Sequence, residues 1–294
     1  MMDASPVFRI CGFLTGLLVM ALALAGCERT PPVSTGDGPR LVIINPALAR
    51  MAVVLGGEAF IVGRHGADSW LDPDLPVAAT FGEIDDEVLA RLHPTDVFLQ
   101  AGAEGIPSHL QETASRFGFT VHALPLLTLA DTRAALAAVD DVLHPEPGLS
   151  PAATRELEAM ETAWQPHPEL AAAAGRTLIL AWTDPPGVMG PGSFHYQMLE
   201  AMGFDLIPAA GAPYIEWSAE RVVREAPECI VLMLPGADAG AGDNLLGPLR
   251  GGGMPAEVNG HVIVITAPDC HLPGPPLVDV AREVVRQAEA WGGS

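Results

Sequence analysis

The sequence predicts an α/β protein of two similar lobes with parallel central sheets, joined by a helical connector and facing each other across a ligand cleft. Three observations lead there. Apolar strand-like runs alternate with helix-like runs over most of the chain, the pattern of parallel sheets with right-handed crossovers. A purely helical stretch near the middle interrupts the alternation. A segment of the first half then reappears in the second without gaps.

In chain order, residues 1–26 read as a signal peptide, with Arg9 in a short polar start, an apolar run from Ile10 to Leu24, and small residues before a cleavage point. Leu24-Ala25-Gly26-Cys27 is a lipobox, so Cys27 is the expected lipidation site. The mature protein is therefore expected outside the cytoplasm, anchored to the membrane by lipid. A transmembrane helix is the competing reading, but the apolar run is shorter than the ~20 residues that span a bilayer, and Glu28, Arg29 and two prolines follow at once. Residues 27–40 are rich in Pro, Gly and polar side chains and read as a flexible tether reaching about 45 Å.

The first lobe is expected over 41–147. It runs through an apolar strand (LVIINP, 41–46), a helix to Leu55, a strand at 59–65, and a loop carrying Asp68, Ser69 and Trp70. A strand at 97–100, a helix at 106–117 stopping before Gly118, a strand at 119–124 and a helix at 129–143 complete it. The connector spans 148–175, where Ser150 and Pro151 give N-cap and first-turn signals and Pro166 and Pro168 mark a break. The second lobe, 176–294, resumes the alternation with strands at 177–182, 205–207, 230–234 and 262–266 and helices at 194–202, 219–225 and 276–291.

The repeat aligns 83–100 (EIDDEVLARLHPTDVFLQ) with 216–233 (EWSAERVVREAPECIVLM), matching Glu83 to Glu216, Glu87 to Glu220, Arg91 to Arg224 and Pro94 to Pro227. In both copies a capping residue, Asp85 or Ser218, opens a short helix that ends at proline and feeds an apolar strand.

The formal net charge of −21 disfavours nucleic-acid partners. All 15 basic residues are Arg. Without Lys there is no phosphate-binding-loop lysine and no Schiff-base chemistry. Cys229 opens one strand and Cys270 follows another. On parallel neighbours, a five-residue strand separates such thiols by ~16 Å, beyond disulfide reach.

Taken together, these motifs resemble the cobalamin, haem and ferric-siderophore receptors of ABC importers. The opening LVIINPALARMAVVLGGEAFIVGRH is similar to that family's first strand, helix and second strand. Residues 82–100 are similar to its signature of glycine, acidic helix, leucine, Pro-Asp and apolar strand, with Thr95 inserted before Asp96. MGPGSFHYQMLEAMG (189–203) resembles its second-lobe turn and helix, and the chain's end resembles its final strand and helix. The resemblance covers most of 40–291. It implies a single long connecting helix between the lobes and a monomeric receptor that does no chemistry and has no intrinsic cofactor. The implied ligand is a metal chelate, a corrinoid first and a ferric siderophore or haem next, delivered to an ABC permease dimer.

Parallel α/β lobes bind ligands at strand carboxyl ends. Those ends supply His65, Asp68, Trp70, Gln100, Trp182, Phe194, His195 and His271 as candidate ligand-binding residues, with Cys270 beside the last. Core packing is the competing reading for each aromatic alone; a large flat cofactor needs this mixture of apolar wall and few polar contacts. The resemblance adds Phe81, which stands where cobalamin receptors carry an aromatic. It also assigns Glu87 and Glu220 to docking on permease arginines, one per lobe, with a favourable helix-dipole contact as the alternative. At Cys270–His271 the chain departs from cobalamin receptors, which place an aromatic nearby.

The nine His follow no zinc-site spacing. His65, His195 and His271 are candidate ligands to a metal ion or to a chelated iron or cobalt; hydrogen bonding is the other reading. A second function class is an extracytoplasmic metal-dependent enzyme using the same cleft. Gly190-Pro191-Gly192-Ser193 is not a nucleophile elbow, since no Gly follows two residues after Ser193. That turn reads either as an anion-binding helix start or as a simple capped turn.

Overall fold

The computed structural model describes residues 38–102, 104–238 and 245–293. The expected signal peptide over 1–26, the lipidation site Cys27 and most of the 27–40 tether lie outside the described residues.

The first lobe contains β1 (Leu41–Ile43), α1 (Pro46–Val54), β2 (Ile61–His65), β3 (Val77–Thr80), β4 (Glu83–Ile84), α2 (Asp86–Leu92), β5 (Asp96–Gln100), α3 (Ser108–Phe117), β6 (Thr120–Leu124) and α4 (Leu129–Leu143). Its sheet has the order β4-β3-β2-β1-β5-β6, parallel throughout except for β3–β4. β1 is shorter than the apolar run that encodes it. Asn45 stops it by capping α1, its side-chain oxygen accepting from the backbone N–H of Ala47 and Leu48.

The connector is carried by α5 (Pro151–Ala163), followed after the proline-marked break by α6 (Pro168–Ala174). Ser150 caps α5, and its N–H and hydroxyl both donate to the buried carboxylate of Asp140 at 2.8 and 2.6 Å, fixing the exit of α4 to the entry of α5. Leu157 of α5 packs against the cores of both lobes.

The second lobe contains β7 (Arg176–Thr183), β8 (Pro186–Met189), α7 (Phe194–Ala201), β9 (Asp205–Ile207), β10 (Tyr214–Glu216), α8 (Ala219–Glu225), β11 (Cys229–Met233), α9 (Pro255–Val258), β12 (Val262–Ile265) and α10 (Pro276–Glu289). Its sheet runs β10-β8-β7-β11-β12, with β9 also paired to β7. β8 is antiparallel to both of its neighbours, and the other pairs are parallel.

Every residue of β11 is buried. Cys229, Val231 and Met233 face one core and Ile230 and Leu232 the other, as a central parallel strand covered by helices on both faces requires. β12 is an edge strand, and the side-chain amide of Gln287 on α10 pairs with it like a short strand. It accepts from the backbone N–H of Val264 at 2.9 Å and donates to the Val264 carbonyl at 2.8 Å.

The strands absent from the sequence reading, β3, β4, β8 and β10, are two to four residues long. That is too short for hydrophobic alternation to register. No helix among the described residues is long and apolar enough to cross a membrane.

Candidate functional site

On the first lobe, the carboxyl ends of β2 and β3 bring together His65 and Phe81, and the loop after β2 carries Trp70. His65 is buried at the end of β2. Its Nδ1 accepts from the backbone N–H of Ala67 at 3.0 Å, and its ring meets Phe81 edge-on at 5.2 Å. Phe81 itself is 88% exposed. Asp68 is buried, and its Oδ1 accepts from the backbone N–H of Trp70 and Leu71 at 2.9 and 3.2 Å. These bonds shape the loop that presents Trp70, and Asp68 Oδ2 is buried without a partner. Arg64 braces the same loop by donating to the carbonyls of His65, Asp68 and Pro73. Trp70 is exposed on this support. Gln100 is exposed at the end of β5, where its side chain accepts from Asn45 at 3.2 Å.

On the second lobe, Trp182 stands at the end of β7 with its indole laid on Gly187 across the β7–β8 pair, so closely that a Cβ at Gly187 has no room. About half of the indole remains open, at 48% exposure. Trp182 is thus a fixed ring with one face on backbone and the other free.

Phe194 and His195 depart from the expectation. Both are buried in the first turn of α7. Their rings lie 4.2 Å apart, and Phe194 belongs to the second-lobe core. His195 Nε2–H donates to the Cys270 carbonyl at 2.7 Å, a geometry that fixes the tautomer because a carbonyl only accepts. Burial pushes its pKa down to about 3, so the ring is uncharged at neutral pH. His271 is half-buried, donates from Nε2–H to the Met233 carbonyl at 3.1 Å, and is also lowered by burial. Cys229 and Cys270 are buried free thiols, and burial pushes them up to about 12 and about 11.

The three candidate metal-binding histidines do not form a ligand set. His65 sits in the first lobe beside Phe81, whereas the rings of His195 and His271 lie 6.2 Å apart in the second. Among the described residues no group of three or more His, Cys, Asp or Glu is arranged to hold a metal ion. Ser193 settles the Gly190–Ser193 turn as a capped turn: its hydroxyl donates to the Gly190 carbonyl at 2.9 Å and accepts from the Tyr196 N–H at 3.3 Å. Glu87 and Glu220 occupy the first turns of α2 and α8 and are both exposed. Hydrogen bonds from its own backbone and the Ser218 side chain hold the Glu220 carboxyl below its ordinary range.

Three residues that sequence reasoning missed complete the site: Gly187, which seats Trp182, and the pair Arg50 and Asp269. The Arg50 guanidinium lies 4.6 Å from the centre of the Trp70 ring and 3.4 Å from Asp269 Oδ2. It therefore joins the first lobe to the loop after β12. A second link runs from the Leu129 N–H to the Gln197 side chain at 2.8 Å. Arg50 carried one signal: it is the only charged residue in the otherwise apolar helix PALARMAVV.

No protein-family model matches the chain, and no curated protein matches it in sequence. Solved structures do match in fold. The periplasmic vitamin B12-binding protein of Vibrio cholerae superposes with a TM-score of 0.69 at 16% identity, over 87% of this chain and 98% of that one. A periplasmic haem-binding protein from Pseudomonas aeruginosa gives 0.66 at 20% identity, over 87% and 93%. A protein of a ferric-hydroxamate ABC transport system from Saccharomonospora viridis gives 0.59 at 18%, over 85% and 94%. At these identities the likeness is one of fold: two sheets of mostly parallel strands flanked by helices, as in the periplasmic binding proteins.

Proposed function

We propose that the chain is the substrate-binding component of an ABC importer, which captures a metal-chelate cofactor and hands it to a membrane permease. A corrinoid is the first choice of ligand, and a ferric siderophore or haem the next. The observation that carries this reading is the exposure of Trp70 and Phe81 on one lobe and Trp182 on the other, each at the carboxyl end of a strand. Covering such rings with a flat ligand recovers roughly 25 cal/mol per Å² of apolar surface, and ring-on-ring contact adds to it. The neighbours named for vitamin B12, haem and ferric hydroxamate support the same ligand class. They are transport binding proteins, which supports binding without chemistry.

In this reading 41–147 and 176–294 are the two lobes and 148–175 the connector between them. The Arg50–Asp269 and Leu129–Gln197 contacts already tie the lobes, which favours small lobe displacements over wide hinge closure on ligand entry. Glu87 and Glu220, at matching positions of the repeat, serve as paired docking points for a two-fold permease. Lipid on Cys27 holds the receptor at the extracytoplasmic face of the membrane, where tethering raises its concentration near the permease.

Absorbance titration of the purified full chain with cyanocobalamin, hemin and a ferric trihydroxamate tests the ligand class. The expected result is one-to-one saturation with at least one of them; no saturation with any of the three overturns it.

A further inference from the structure

We propose that Asp269 is a specificity-determining residue: by pairing with Arg50 it neutralises the guanidinium beside Trp70, so the cleft selects uncharged or cationic chelates and discriminates against carboxylate-bearing ones. The inference rests on the binding-protein reading above and narrows its ligand class by charge.

The arginines near the strand carboxyl ends each have a partner, and the one beside an exposed ring of the site is paired with a carboxylate. Arg50 is shared between the Asp269 carboxylate and the Trp70 ring. Arg64 donates to three backbone carbonyls that hold it against its own loop. Arg221 lies over the Trp217 ring at 4.0 Å. The two histidines of the second lobe add no charge, because burial keeps both rings in the neutral form and their Nε2–H groups are bonded to carbonyls. The chain as a whole carries a formal charge of −21, so the long-range field repels anions as well.

A ligand carboxylate entering beside Trp70 gives up its hydration and meets a guanidinium already neutralised by Asp269, so its burial is poorly compensated. A ligand whose rim carries amides or hydroxamates does not meet that penalty and still gains the aromatic walls. Arg50 keeps unused donor capacity: it meets Asp269 through one nitrogen at 3.4 Å, and its Nε is buried without a partner. Removing the charge at 269 therefore frees a guanidinium beside Trp70 that can pair with an incoming carboxylate.

The test compares dissociation constants of the full chain for cyanocobalamin and a ferric trihydroxamate against hemin and ferric citrate. In the unaltered chain an uncharged or cationic chelate is expected to bind at least about tenfold more tightly than either carboxylate-bearing one. In Asp269→Asn the ratio of hemin to cyanocobalamin affinity is expected to rise about tenfold, with a new salt dependence, and adding Arg50→Gln is expected to remove the gain. Tightest binding of hemin or ferric citrate by the unaltered chain overturns the proposal while leaving the binding-protein reading intact. An unchanged ratio in a folded Asp269→Asn chain does the same. If Asp269→Asn fails to fold, the comparison of cyanocobalamin with its monocarboxylic acid derivative on the unaltered chain decides: equal affinity overturns the proposal. Saturation by none of the four chelates overturns the binding reading and this inference together.

Discussion

At the amino ends of their strands the two lobes are near copies. Arg40 donates to the carbonyls of Leu92 and His93 at the end of α2, and Arg176 donates to the carbonyl of Glu225 at the end of α8. The N–H of each arginine donates to the next repeat position, Thr95 Oγ1 or Glu228 Oε2, at 2.8 Å, and its carbonyl accepts the N–H of that same residue. His93 and Ala226, equivalent in the repeat, have φ of 45° and 50°, and among the described residues they are the non-glycine positions in the left-handed region. At the carboxyl ends the likeness stops. The first lobe offers Trp70 and Phe81 on loops, whereas the second offers Trp182 on a hairpin and turns Phe194 and His195 inward. The edge strand before the repeat helix also differs: β4 runs against the parallel strands, while β10, antiparallel to the antiparallel β8, runs with them. The duplicated geometry lies where a helix must hand the chain to a central strand, and the divergence lies at the strand carboxyl ends.

The sharpest test of this equivalence uses Leu99 and Leu232, the same residue at matching positions of β5 and β11. Leu→Ala at a core site costs about 2–5 kcal/mol. Leu232, fully buried, is expected near the top of that range, and Leu99, 7% exposed, nearer the bottom; urea unfolding of the two variants measures the difference. Equal costs would remove the asymmetry between the cores.

His195 belongs to the second lobe's pattern. Its folded pKa of about 3 lies below the 6.5 of the free side chain, so folding favours the neutral ring. The stability it contributes is present above pH 6.5 and is lost as pH falls toward 3. His195→Gln is expected to flatten the decline in unfolding free energy between pH 6.5 and 4 relative to the unaltered chain; parallel pH profiles contradict the assignment.

Smaller effects follow at the arginine clamps. Arg40→Ala and Arg176→Ala are each expected to lower stability by roughly 1 kcal/mol, with Arg176 the weaker because its side chain is 44% exposed and water screens it. The two losses are expected to add in the double variant, which chemical denaturation reads. At the opposite ends, Gly187→Ala displaces the Trp182 ring and Phe81→Ala deletes a solvent-exposed one. Each is expected to weaken chelate binding by about tenfold, with Phe81→Ala leaving stability within about 0.5 kcal/mol. Binding titration beside thermal unfolding separates the two quantities.

What the sequence made legible follows the same division. The long apolar strands, the caps Asp85, Ser150 and Ser218, and the repeat were readable because local periodicity and side-chain chemistry determine them. Trp70 and Trp182 were readable from their position after strands, whereas Phe81 came from the family resemblance alone, because the short β3 before it leaves no periodicity. The inward turn of Phe194 and His195 was not, because it depends on the Cys270 carbonyl waiting across the lobe. The pairing of Arg50 with Asp269 was hidden for the same reason: residues from far ends of the chain meet only once both lobes are folded and docked.

Gln287 carries a consequence of a different kind. A bare strand margin is an invitation to stitch one molecule to the next through backbone pairing, and the danger grows when many copies are confined to a surface layer. By seating its amide on Val264, Gln287 occupies the hydrogen-bonding place that a neighbour's backbone would need. One side chain at the end of the last helix thereby closes the β12 margin of the second sheet to backbone pairing at Val264.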